Sequence, residues 1–109
     1  MTVLNGYRIM WMLVMFDLPV LTKKERKEAT GFREYLLDLG FERSQFSVYM
    51  RCCPGKEKVE QYVRLIRKKL PQGGKVDILT FTDKQYENIV SFQAQARAPR
   101  KKAQQLSLF

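Results

Sequence analysis

Eight apolar residues in a row, Ile9-Met10-Trp11-Met12-Leu13-Val14-Met15-Phe16, stop abruptly at Asp17-Leu18-Pro19. A run of this length and bulk reads as a strand buried on both faces. The proline then blocks continuation of the ladder. Asp17 therefore sits at the mouth of a buried strand. A carboxylate there is costly unless it is solvated, paired or bound to a metal. Strand ends are also where sheet proteins place their chemistry. A turn-capping aspartate before Leu-Pro would leave the same trace, so position alone keeps both readings open.

The rest of the composition narrows the chemistry. At 109 residues the chain forms one domain. Lys and Arg outnumber Asp and Glu 20 to 11, a net charge of +9. That surplus favours a polyanionic partner, nucleic acid before an anionic membrane. No segment is long enough to span a bilayer, and Met1-Thr2-Val3-Leu4 lacks the charged start of a signal peptide. A cytoplasmic location is expected. Histidine is absent, which removes Ser-His-Asp and Cys-His nucleophile systems and His-ligated zinc. The two cysteines are neighbours, Cys52 and Cys53. A disulfide between them would be strained, so they read as reduced strand residues, one facing in and one out. Carboxylates, Lys, Arg, Tyr and a metal ion remain for catalysis.

Thr22 followed by Glu25 forms a capping box that opens a helix. Ala29, Phe32, Leu36 and Leu39 fall on one face of it, and Gly40 closes it, with Phe41 positioned to pack back on Leu36. From Phe41 to Cys52, Phe46, Val48 and Met50 alternate with polar residues. Periodicity leaves open one long strand or two short ones joined by a bend. Pro54-Gly55 is a turn. A second helix carries Val59, Tyr62, Val63, Ile66 and Leu70 on one face and is ended by Pro71 and Gly73-Gly74. Val76 to Phe81 reads as a strand, and Thr82 with Gln85 repeats the capping pattern. Ile89-Val90-Ser91-Phe92 reads as a short edge strand.

The order is strand, helix, strand or hairpin, helix, strand, turn, strand. It predicts an α+β, ferredoxin-like βαββαβ sandwich with an extra C-terminal edge strand. The domain spans 1–92, and 93–109 is a basic, flexible tail. Two helices cover only one face of such a sheet, so homodimerisation through the other face is expected.

Met15-Phe16-Asp17-Leu18-Pro19, Phe32-Arg33, Leu36, Gly40-Phe41, Gln45-Phe46-Ser47-Val48-Tyr49 and Leu79-Thr80-Phe81-Thr82-Asp83-Lys84-Gln85-Tyr86 form an ordered set. In this order, over residues 7–92, the chain resembles the CRISPR-associated adaptation protein family "Cas two", and its type II members most. The resemblance implies a homodimer with packed sheets. It assigns Asp17 to a divalent metal, usually Mg2+, as metal ligand and catalytic group. Members of the family have been described as metal-dependent endonucleases on single-stranded RNA or on DNA. In spacer acquisition a dimer bridges two dimers of the integrase "Cas one" and carries a DNA duplex. The segment after the fourth strand, here Ile89, Val90 and Phe92, docks the partner.

Magnesium takes one or two carboxylates with waters and phosphates. One Asp17 is a thin site, and a two-fold axis that pairs two copies would supply two carboxylates. Duplex binding needs no catalytic group, and a dimer carries +18, twice the chain's +9. The candidate DNA contacts are Arg64, Arg67, Lys68 and Lys69, with Arg97, Arg100, Lys101 and Lys102 in the tail. The leading expectation is a DNA-binding scaffold that bridges the integrase. The alternative is a metal-dependent endoribonuclease or endonuclease that uses Asp17. A generic RNA-binding domain fits less well, because the aromatic strand motif of RNA-recognition domains is absent. The last five residues, Gln105-Leu106-Ser107-Leu108-Phe109, resemble the peptide by which bacterial polymerases dock on the sliding clamp. There Leu106, Leu108 and Phe109 would fill apolar pockets and Gln105 would donate or accept a hydrogen bond. The other readings are that Leu106, Leu108 and Phe109 add a strand to the integrase or simply end the tail.

Overall fold

A computed structural model describes residues 8–93. The elements are β1 (Met10–Asp17), α1 (Lys23–Asp38), β2 (Glu42–Gln45), β3 (Val48–Cys53), α2 (Lys56–Arg67), β4 (Lys75–Thr82) and α3 (Asp83–Glu87). They form a four-stranded sheet in the order β2-β3-β1-β4. Every neighbouring pair is antiparallel. This is the ferredoxin-like arrangement, with β1 at the centre.

Local chemistry sets the helix ends. The Thr22 hydroxyl accepts from the Glu25 N–H at 3.1 Å, and the Glu25 carboxylate accepts from the Thr22 N–H at 2.9 Å. Such a cap is worth about 1 kcal/mol. At the other end Phe41 N–H donates to Leu36 at 3.0 Å and Gly40 N–H to Leu37 at 2.9 Å. This Schellman pair needs a left-handed residue, which Gly40 supplies at φ 92°. Gly40 has a second reason to lack a side chain. The Arg51 guanidinium lies where a Cβ would go and donates to the Gly40 carbonyl at 3.2 Å, placing a cation at the negative end of α1.

The segment from Phe41 to Cys53 resolves into a hairpin, with a bulge between Arg43 and Gln45 and a tight turn at Phe46-Ser47. Phe46 leaves the strand alternation and projects 70 % exposed at the turn. α2 ends at Arg67, so Leu70 lies past the helix and is half-exposed rather than part of its buried face.

The main core lies between the helices and one face of the sheet. Met12, Val14 and Phe16 of β1 meet Ala29, Phe32 and Leu36 of α1 and Val59 and Ile66 of α2. The opposite face carries a smaller cluster of Trp11, Met50, Cys52 and Tyr86. α3 holds it in place. The Thr82 hydroxyl accepts from Gln85 N–H at 3.1 Å, and the turn lays Tyr86 flat on Trp11, ring centroids 3.6 Å apart. The Trp11 indole N–H donates to Asp83 Oδ1 at 2.8 Å, which satisfies the one polar atom of that ring.

Two expectations change here. Cys53 faces the main core and Cys52 faces away, but Cys52 is covered by the Trp11 cluster, so both thiols are buried. The edge strand over Ile89–Phe92 is not formed as a strand within the described residues. Phe92 makes an isolated bridge, and Ile89 packs onto the Trp11 cluster instead.

Candidate metal centre and nucleic-acid interface

Side chains along β1 alternate between the two faces. Trp11, Leu13, Met15 and Asp17 share the face away from α1 and α2. The unbroken apolar run suggests burial on both faces, but burial falls steadily along this row, because α3 covers only its Trp11 end. Trp11 is fully covered, Leu13 is half-buried, Met15 is 40 % exposed and Asp17 is open to solvent. The register adds Val48 and Met50 of β3 and Lys75, Asp77 and Leu79 of β4 to the same face. Beyond α3 the face is thus apolar in the middle, with Leu79 44 % exposed, and charged at the Asp17 end.

Asp17 is held by backbone packing. Pro19 ends the strand, and the Gly73-Gly74 turn lies directly against Asp17, Leu18 and Pro19. Gly74 has φ 83°, and a Cβ on it would strike the Asp17 carbonyl and come within 2.9 Å of Leu18 Cα. Only glycine permits both the dihedral and the approach. Opposite Asp17 in register stands Lys75, whose ammonium pairs with Asp77 at 3.6 Å. Asp77 faces Met15 and is Asp17's diagonal neighbour on the same face. The sequence marked Gly74 only as part of a helix stop and did not single out Lys75 or Asp77. Their cue was the Gly-Gly-Lys-x-Asp spacing at the start of β4, which has meaning only once β4 is paired with β1.

Among the described residues no three Asp, Glu or Cys side chains gather into a ready-made metal cage. One exposed carboxylate with free space around it fits magnesium in its usual protein mode, few carboxylates and many waters or phosphates.

Of the predicted nucleic-acid contacts, Arg64, Arg67 and Lys68 cluster, exposed, at the C-terminal end of α2. The short connection to β4 brings that end toward the Asp17 end of the sheet, in the helical layer. Lys69 is drawn aside. Its ammonium lies over the Tyr35 ring, 5.5 Å from the centroid, beside a cavity of about 480 Å³ lined by Glu28, Glu34 and Asp38. That acidic surround makes it the weakest of the four for a phosphate. Val90 and Phe92 are exposed, 54 % and 78 %, whereas Ile89 is engaged by the Trp11 cluster. Arg97, Arg100, Lys101, Lys102, Gln105, Leu106, Leu108 and Phe109 lie outside the described residues.

The fold and the site together define a small ferredoxin-like protein with a single aspartate at the end of its central strand and a strong basic surplus. The family model for "CRISPR associated protein Cas2" matches residues 10–89, and the chain belongs to that family. A "CRISPR-associated endoribonuclease Cas2" of Paracidovorax avenae is 58 % identical over 107 residues, covering 97 % of this chain and 99 % of that protein. A protein of the same name from Flavobacterium psychrophilum is 46 % identical over 99 % of this chain and 95 % of its own length. One from Parvibaculum lavamentivorans is 41 % identical over 92 % of this chain and all of its own length. No helix among the described residues is long and apolar enough to cross a membrane.

Proposed function

We propose that this chain is a metal-dependent endonuclease acting on nucleic acid, RNA first, with Asp17 as the magnesium ligand. The observation that carries the reading is the exposed Asp17 at the end of the central strand, underpinned by Gly74. The relatives' shared name, endoribonuclease, supports cleavage over bridging. Homodimerisation through the bare sheet face would cover Leu13, Met15 and Leu79 and bring two Asp17 carboxylates toward one axis. A divalent metal at such a site supplies charge neutralisation at the phosphate and acidification of water. The chain's own contributions are narrower. Asp17 offers carboxylate oxygens, Gly74 fixes its backbone, and the Lys75–Asp77 pair keeps a cation beside it without occupying it. The chain holds no histidine to act as base.

Magnesium-dependent cleavage of labelled RNA and duplex DNA tests this, with Asp17→Ala purified in parallel. The expected result is a loss of at least about a hundredfold in the variant, with an unchanged melting temperature. No cleavage by the wild type, or equal cleavage by both, would sink the reading.

The second reading is spacer acquisition: a dimer in the cytoplasm that binds duplex DNA and bridges the Cas one integrase. It is favoured by the net charge of +9 and by Arg64, Arg67 and Lys68, which are exposed and in no ion pair among the described residues. Val90 and Phe92 would then serve the integrase. Replacing Arg64, Arg67, Lys68 and Lys69 by Ala should weaken duplex binding and reduce its log–log salt slope by about 0.9 per lost contact. An unchanged slope would remove them. The terminal Gln105–Phe109 peptide would dock on the sliding clamp, and calorimetry with the purified clamp checks this. Silence at high micromolar peptide would end the clamp reading.

A further inference from the structure

Phe46 is a large aromatic ring left 70 % exposed at the tip of the β2–β3 hairpin. Two guanidinium groups attend it. Arg43 lies 5.0 Å and Arg33 5.8 Å from its centroid. Arg33 also reaches the Phe16 ring at 5.7 Å, and its Nε is buried with no hydrogen-bond partner. Among the described residues neither arginine is in an ion pair. A buried donor without a partner is costly, and although the two cation–π contacts steady the ring, most of its surface is left open to solvent. Aromatic rings with adjacent guanidiniums are what bind the face of a nucleobase and its flanking phosphates.

The place of this cluster in the fold matters as much as its composition. Phe16 N–H donates to the Ser47 carbonyl at 3.1 Å, which ties the hairpin tip to the residue next to Asp17. Phe46 stands on the helical side of this strand end, with Arg33 of α1. Asp17 stands on the bare side. A nucleic-acid strand crossing the end of β1 would meet the ring and then the carboxylate.

We propose that the hairpin tip is a stacking site for one unpaired nucleotide, with Phe46 as the platform and Arg33 and Arg43 as its cationic walls. The proposal rests on the reading of this chain as a nucleic-acid-processing protein and names how it selects its substrate. A base stacks only when it is out of a duplex, so the site favours single strands. It reads no sequence, because every base has a flat face.

The test is binding, measured by fluorescence anisotropy in EDTA so that cleavage plays no part. The probes are a short labelled oligouridylate, the same strand with abasic positions, and a duplex. Phe46→Ala is expected to weaken oligouridylate binding on the order of tenfold. Phe46→Trp should retain it, and duplex binding should not move. The abasic strand should bind wild type and Phe46→Ala alike, which a merely distorted hairpin would not reproduce. Arg43→Gln should lower the salt slope on the single strand by about 0.7.

Equal oligouridylate affinity for wild type and Phe46→Ala overturns the site, as does an equal loss on the abasic strand or on the duplex. A Phe46→Ala protein that changes its sedimentation but not its oligonucleotide affinity also overturns it and makes the ring a protein contact. The outcome is separable from the nuclease reading. Cleavage that needs Asp17 while affinity ignores Phe46 leaves that reading standing without this site. Affinity that needs Phe46 with no cleavage in any sample does the reverse.

Discussion

The two faces of β1 carry similar side chains and meet different surroundings. Met12, Val14 and Phe16 lie under α1 and α2 and are 0, 0 and 7 % exposed. On the other face Trp11 is sealed by α3, Met15 is 40 % exposed and Asp17 is open. One face is a core, completed within the chain. The other is a core at one end only, and it grades through an apolar strip into charge. The difference teaches that apolar content alone does not say whether a strand face is an interior or an interface. What decides is whether the chain itself provides a cover, and among the described residues the cover is a five-residue helix that seals only the Trp11 end.

Leu36→Ala carries the largest expected effect on stability. Leu36 is wholly buried on the helical side, and the cavity left should cost about 3 kcal/mol in urea unfolding. Trp11→Phe probes the sealed end of the opposite face. It removes the donor to Asp83 and part of the stack on Tyr86, an expected loss of about 1–2 kcal/mol. A double-mutant cycle with Asp83→Ala, which removes the acceptor, checks it, since the two losses should not add. Equal costs at Met15 and Trp11 would break the comparison.

A smaller effect comes from the thiols. Burial holds the Cys53 thiol neutral and raises its pKa from the ordinary 9.0 to about 11, although the Arg51 guanidinium opposes the shift. Between those values the folded chain keeps a proton that the unfolded chain has lost. Stability should therefore fall as pH rises from about 9 to about 11, and this group adds no slope below that window. Denaturant midpoints across the range should decline less steeply in Cys53→Ala than in wild type.

The smallest change in folding stability is expected at Met15→Glu, within about 0.5 kcal/mol. Its readout is association. If two bare faces meet, a buried unpaired charge at Met15 should shift the protein to monomer in sedimentation velocity. A dimer that survives the substitution would place the interface elsewhere.

Much of this molecule is local and was legible without coordinates. Thr22 with Glu25, Thr82 with Gln85 and Gly40 after the α1 stripe act over three or four residues, so their geometry is written in their spacing. Asp17 stood out for a similar reason, as a charge closing a run of apolar side chains. Phe46 misled, because strict alternation placed it in a strand, and only the tight turn at Phe46-Ser47 puts it at a tip. Leu70 fitted the helical stripe, but α2 stops at Arg67 and the chain turns away. One of the two cysteines was expected to face out, and the cover that denies this to Cys52 is formed by Tyr86 and Trp11, residues far from it in sequence.

The amino-acid sequence alone sets the helix caps, β1 as a strand, the basic surplus and the lone aspartate at that strand's end. All of these follow from side-chain chemistry and spacing within a few residues. Tertiary structure alone decided that Gly74 lies beneath Asp17, that Lys75 and Asp77 share its face, and that Phe46 stands exposed between Arg33 and Arg43. Those relations join segments that touch only after the strands have paired, and strand pairing is a long-range choice made by the whole core at once.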